Sequence, residues 1–112
     1  MITLITRPNF YVNVSREAAQ PVEVKLERLM NTISLISGYH VEQIKGRTKP
    51  SDLVEWRQIF CHEAFNKITP NKSMIGKFLN RDHATIIHSI NKVETYIERN
   101  DYIFMSKYTK II

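Results

Sequence analysis

The sequence predicts an all-α fold, a compact helical bundle containing a helix-turn-helix, with a small β-hairpin or arm in front of it. Three observations carry that reading. From Pro21 onward apolar residues return at helical rather than strand spacing in successive stretches. Most of the four Pro and three Gly fall at the ends of those stretches, where helices start or stop. Two of the stretches, one ending at Leu79 and one opening after Asp82, are joined by so tight a turn that they form a helix-turn-helix.

The totals set outer limits. A chain of 112 residues suits one domain, and 43% apolar with 24% charged residues is enough for one core and too apolar for disorder. A single cysteine, Cys61, excludes an internal disulfide and fits a reducing compartment. No apolar run spans a bilayer and the first residues lack a signal-peptide layout, so a cytoplasmic protein without a membrane partner is expected.

Residues 1–20 form the expected arm. Ile2, Leu4, Phe10, Val12 and Val14 alternate around the turn Arg7-Pro8-Asn9, and this hairpin is the candidate homodimer contact. The domain proper is expected over 21–112. Pro21 suits a first helical residue, and Val22, Leu26, Leu29, Met30, Ile33 and Ile36 trace a helix that Gly38 stops. Val41 to Ile44 reads as one short helical turn, followed by the basic loop Lys45-Gly-Arg-Thr-Lys-Pro50. Ser51 or Asp52 is the expected cap of the next helix, with Leu53, Trp56, Phe60, Ala64 and Ile68 on its buried side and Ile59 and Phe65 beside them. Arg57 and Gln58 fall off that stripe and are placed on phosphate. Cys61 and His62 are adjacent and do not face each other, which argues against a catalytic pair.

Thr69-Pro70-Asn71 breaks the helix, and Asn71 or Ser73 starts a short one through Met74, Ile75, Phe78 and Leu79. Asn80-Arg81 makes the turn. Asp82 caps the next helix, which runs to about Arg99 with Ile86, Ile90, Val93 and Ile97 as its buried stripe. Asn100-Asp101 interrupts, and a last turn or two packs back through Tyr102, Ile103, Met105, Tyr108 and Ile111, apolar residues expected in the core with an oligomer contact as the alternative.

The helix after Asp82 says most about function. Away from its apolar stripe it shows His83, Ala84, Thr85, His88, Asn91 and Lys92, short or donor-rich groups that suit the edge of a base pair. The charge agrees. The net +5 is absent from residues 1–44, which balance, whereas residues 45–100 carry ten Lys or Arg against six acids. A polyanion is the expected partner, double-stranded DNA first. Arg81, Asp82, His83, Ala84 and Thr85 are placed in the major groove. Lys45, Arg47, Lys49, Arg57, Gln58, Lys72, Lys77, His88 and Lys92 are placed on phosphates or in the minor groove.

His83 and His88 lie about 140° apart around a helix, outside the i, i+4 spacing of zinc helices, and no Cys or carboxylate completes a set. No Gly-rich phosphate cradle is present. No metal, cofactor, small-molecule substrate or enzymatic activity is therefore expected. The alternative from another class is an interaction module that binds a replication or regulatory protein, its basic face only steering encounter.

Ile75-Gly76 followed by Arg81-Asp82-His83-Ala84-Thr85-Ile86-Ile87-His88 resembles the I-G…R-D-H-T-T-V-x-H pattern of the C-terminal DNA-binding domain of the bacterial replication initiator DnaA. Lys92-Val93-Glu94 and Arg57-Gln58 extend the resemblance, as does the position of the Lys45–Lys49 loop, and it covers residues from about 30 to 100. It implies that Asp82, His83, Ala84 and Thr85 read the major groove of an origin box. By the same resemblance Arg47 and Lys49 reach the adjacent minor groove, and Arg57 and Gln58 hold the backbone. Three positions depart from the pattern: Ala84 for Thr, Asn80 alone before the Arg, and Lys49 for a minor-groove Arg. The resemblance extends to no ATPase domain, so the expectation is a DNA-reading piece serving replication initiation or its regulation.

Overall fold

The computed structural model describes residues 21–47 and 49–111; the expected hairpin or arm over 1–20 lies outside them. Among the described residues there are six helices and no strand: α1 (Val22–Ser37), α2 (Val41–Lys45), α3 (Ser51–Lys67), α4 (Lys72–Leu79), α5 (His83–Glu98) and α6 (Tyr102–Tyr108).

The all-α bundle is as the sequence predicts, and most ends have the expected cause. Gly38 stops α1 at φ 83°, a left-handed conformation that suits glycine, and its N–H donates to Ser34 O at 3.0 Å. Pro21 stands one residue outside α1, at the cap position, rather than as its first residue. At α3, neither Ser51 nor Asp52 caps. Pro50 occupies that position, and Asp52 turns instead to the Tyr39 hydroxyl, which donates to it at 2.9 Å.

Helix α3 is the centre of the bundle, packed against α1, α2, α4, α5 and α6 and most extensively against α5. The one-sided stripe expected for it is therefore too narrow. Every residue from Trp56 to Ala64 is buried, including Arg57, Gln58, His62 and Glu63. A helix ringed by neighbours has no open face, so its polar residues are enclosed and must find partners inside. Leu26, Met30, Ile33, Ile44, Ile75, Leu79, Ile86, Val93 and Phe104 close around it from the other helices.

Helix α6 packs back as expected but in a different register. Asp101 caps it, accepting from Phe104 N at 2.9 Å, and this sets Phe104 inward. Phe104 is fully buried and stacks on Tyr96, with ring centroids 4.6 Å apart. Tyr102 and Ile103, expected in the core, are 87% and 69% exposed. Met105, Tyr108 and Ile111 pack against the core edge.

Two ionic clusters fasten α6 to α3. Lys107 pairs with both Asp52 and Glu55. The Tyr108 hydroxyl donates to Glu63 at 3.3 Å, and Lys67 pairs with the same buried carboxylate at 2.8 Å. The hydrogen bond from Lys107 holds the Asp52 carboxyl below its ordinary pKa. Burial lowers the Lys107 pKa, but Asp52 and Glu55 more than offset it, so Lys107 sits above its usual range. A depressed carboxyl and a raised ammonium stabilise the fold between their two ordinary pKa values, roughly pH 4 to 10. That contribution is lost as pH falls through the lowered Asp52 pKa, and again as it rises through the raised Lys107 pKa. Lys107→Ala is expected to lower the unfolding free energy by about 1–2 kcal/mol at pH 7. Chemical denaturation at pH 7 and at pH 2–3 checks this, the difference from wild type shrinking at the acid end.

Candidate nucleic-acid interface

The site is built from the turn outward. Asn71 caps α4, its Oδ1 accepting from Ser73 N at 3.1 Å and Met74 N at 3.2 Å. Asn80 ends α4 in the left-handed region, at φ 57°, which Asn tolerates better than most residues, and its N–H bonds back to Gly76 O and Lys77 O. Arg81 N then donates to Gly76 O at 2.8 Å. This brings the turn so close to α4 that a Cβ on Gly76 would lie 2.6 Å from Arg81 O. Asp82 caps α5, accepting from Thr85 N at 2.8 Å. Its hydrogen bonds with Thr85, side chain and then backbone, keep its carboxyl below the ordinary range and therefore charged at neutral pH.

Helix α5 is cleanly two-sided. Ile86, Ser89, Ile90 and Val93 are buried, whereas Asp82, His83, Ala84, Thr85, His88, Asn91 and Lys92 are exposed. The residues placed on base edges thus share one open side at the start of the helix, with Lys92 further along it. An open groove of about 600 Å³ runs between α4 and α5, and Ser73, Lys77, Asn80, Asp82 and His83 are among its lining residues.

The cations around that surface are held in place. Lys45 Nζ lies 4.0 Å from the centroid of the Phe78 ring, Lys72 Nζ 4.6 Å from that of Phe65, and Lys92 Nζ 5.6 Å from that of Tyr96. Arg47, Lys49 and Lys77 are exposed.

Three of the predicted residues sit elsewhere. Arg57 and Gln58 are each only 9% exposed, because α3 is enclosed where a free phosphate-facing side was expected. Arg57 Nε donates to Ile44 O at 2.6 Å and Nη2 to Gln43 O at 3.2 Å. Burial, and then the nearby Arg81 charge, lowers its pKa. The Gln58 side-chain oxygen is buried without a hydrogen-bond partner. Arg81 is half-buried, and its guanidinium turns toward the basic loop. Nη1 donates to Lys45 O at 3.0 Å and Leu79 O at 3.1 Å, and Nη2 donates to Gly46 O. Sequence reasoning found these arginines by type and missed what they hold. Both arginines bond carbonyls that lie more than ten positions away in the chain, and no local pattern in the sequence marks such links.

Among the described residues no cluster of His, Cys, Asp or Glu is arranged to hold a metal ion, and no helix is long and apolar enough to cross a membrane. Burial pushes the Cys61 thiol up to about 12, so it carries no thiolate at neutral pH and is no nucleophile.

A two-sided helix behind a three-residue turn, flanked by a basic loop, is the geometry on which the comparison with known proteins can be judged. The profile of the family described as the bacterial dnaA protein helix-turn-helix matches residues 26–93, from the middle of α1 to the buried stripe of α5. The chain belongs to that family. Chromosomal replication initiator proteins DnaA are among its relatives. That of Kosmotoga olearia is 29% identical over 84 residues, 75% of this chain and 19% of its own length. DnaA 1 of Chlamydia pneumoniae is 30% identical over 86 residues, covering 77% and 19%. The Ureaplasma parvum protein is 28% identical over 102 residues, covering 85% and 22%. The chain therefore spans about one fifth of the length of the curated relatives it matches.

The turn geometry yields two expectations. Gly76→Ala should lower stability by about 1–3 kcal/mol, because the added methyl collides with backbone that cannot swing away; a melting temperature at or above that of wild type would refute the close approach. Asp82→Ala should lower the denaturation midpoint through the lost cap while Asp82→Asn stays close to wild type, since Asn caps as well as Asp. Denaturant titration of the two variants separates them.

Proposed function

We propose that the chain binds double-stranded DNA with sequence preference, as the DNA-reading element of a replication-initiation or initiation-regulating system. The start of α5 enters the major groove, where His83, Ala84 and Thr85 meet base edges. His83 offers a hydrogen bond, Ala84 a methyl for the thymine C5-methyl, and Thr85 a hydroxyl for base or phosphate. Asp82, charged and exposed, accepts from a cytosine amino group while it caps the helix. Arg47 and Lys49 reach phosphates or the adjacent minor groove, Lys45, Lys72, Lys77 and Lys92 neutralise phosphates, and His88 offers a ring hydrogen bond to one.

The observation that carries this reading is the division of α5. Its first two turns present short polar side chains to solvent, while the opposite side is locked into the core. A surface helix with no binding role has no need to keep so short-chained a face beside a ring of cations. Membership of the family, and its relatives being chromosomal replication initiator proteins, support the same reading.

The site offers no catalytic constellation, and the chain is read as a binder and not an enzyme. One helix-turn-helix contacts few base pairs, so useful specificity takes a second copy or a replication-protein partner on neighbouring DNA. A place on the nucleoid follows from the same chemistry.

Salt titration of duplex binding tests the proposal. Counterion release makes log K fall linearly with log salt, and Lys49→Ala should reduce the slope by about 1 while weakening all sequences alike. His83→Ala should leave the slope unchanged and relax discrimination at its base pair by about 1–3 kcal/mol. Absence of duplex binding at low salt would overturn the proposal.

A further inference from the structure

We propose that Arg81 is a positioning residue that couples the two DNA-reading elements, by anchoring the origin of the basic loop to the turn that launches α5. The inference rests on the reading of the chain as a duplex binder, and assigns to Arg81 a part other than base contact.

The argument starts from α2, a helix of five residues. Of its last carbonyls, Gln43 O accepts from Gly46 N at 3.2 Å, and together they form the negative end of the helix dipole. Two guanidiniums from elsewhere in the chain take them up in order. Arg57, from α3, holds Gln43 O and Ile44 O. Arg81, from the turn, holds Lys45 O and Gly46 O, and with the same nitrogen that reaches Lys45 it bonds Leu79 O at the end of α4. A planar fork with five donors can bridge carbonyls of two segments at once, whereas an ammonium is a single point.

The clamp lies next to both reading elements. Gly46 is followed at once by Arg47, with Lys49 two residues beyond. Arg81 is followed at once by Asp82 and His83. The clamp is itself rigid on the turn side, because Arg81 N bonds Gly76 O at 2.8 Å and Gly76 leaves no room for movement toward α4. On the loop side Gly46 N donates to Gln43 O at 3.2 Å, and a Cβ added at Gly46 would lie 2.8 Å from Glu42 O. The loop cations and the α5 side chains therefore meet DNA in one fixed register, and bases on the two flanks of a site are read together.

The test takes a duplex selected from a random pool by the wild-type chain and compares base preference, position by position, among wild type, Arg47→Ala, His83→Ala and Arg81→Lys. Melting temperature is measured alongside. Arg81→Lys keeps the charge and loses the fork. It should forfeit preference by about tenfold at the positions that Arg47→Ala also loses, and keep the positions that depend on His83. Adding Arg47→Ala to Arg81→Lys should then cost less than about twofold. Gly46→Ala keeps the Arg81 side chain and displaces a carbonyl that it holds, so it should lose the same positions, which keeps the test decisive if Arg81→Lys does not fold. Loss confined to a base beside the His83-dependent ones would make Arg81 a direct reader and overturn the coupling. So would a uniform loss across sequences that follows melting temperature. A wild-type chain without any duplex preference would remove the underlying reading itself, whereas intact preference in both wild type and Arg81→Lys would remove the coupling alone.

Discussion

The enclosure of α3 is the constraint from which the rest of the molecule follows. A helix surrounded on all sides must bury whatever polar residues it carries, and a buried charge without partners is far costlier than a missing methyl group. Arg57 and Glu63 meet that demand in opposite directions. Arg57 reaches carbonyls at the end of α2 and so ties the basic loop to the core. Glu63 gathers Lys67 and the Tyr108 hydroxyl and so ties down α6. The core thereby arranges both the edge proposed to face DNA and the docking of α6.

Charge and shape divide the work at the surface. Cations on the loop, on α4 and on α5 give an attraction that any polyanion would feel, and three of them lie over aromatic rings that limit where their ammonium heads can wander. On the proposed reading, discrimination in the major groove falls to a few short side chains at the start of α5, whose reach is small and whose placement must be correspondingly firm. That firmness comes from backbone: the Asp82 cap, the left-handed Asn80 and the approach of Arg81 to Gly76.

Much of this was legible in the sequence because it depends on local rules. Gly38, Asn71, Asp82 and Asp101 mark helix ends through their own chemistry, and the stripe Ile86, Ile90, Val93 predicts which side of α5 is buried. The exposure of His83, Ala84 and Thr85 follows directly. What was not legible depends on residues far apart in the chain. Whether Arg57 faces solvent is decided by how many helices surround α3, and no spacing rule within residues 51–67 carries that number. The link from Arg81 to Lys45 O crosses 36 positions and has no periodic signature. Asp52 looked like a cap because caps are local; its actual partners, Tyr39 and Lys107, lie in other elements. The register of α6 failed for a related reason, since Tyr102, Ile103 and Phe104 are all large and apolar and only the Asp101 cap decides which one turns inward.

Five residues are too few for a helix to persist in water on its own, and α2 owes its existence to groups that arrive later in the chain. Its capping box, in which the Gln43 side chain accepts from His40 N at 2.9 Å, secures one end, and the two arginines secure the other. Loss of the turn between α4 and α5 would free Lys45 O and Gly46 O while Arg57 keeps Gln43 O and Ile44 O. On the proposed reading the chain can therefore keep its core and still lose the aim of its loop: a local event at the turn is enough to disturb both halves of the surface.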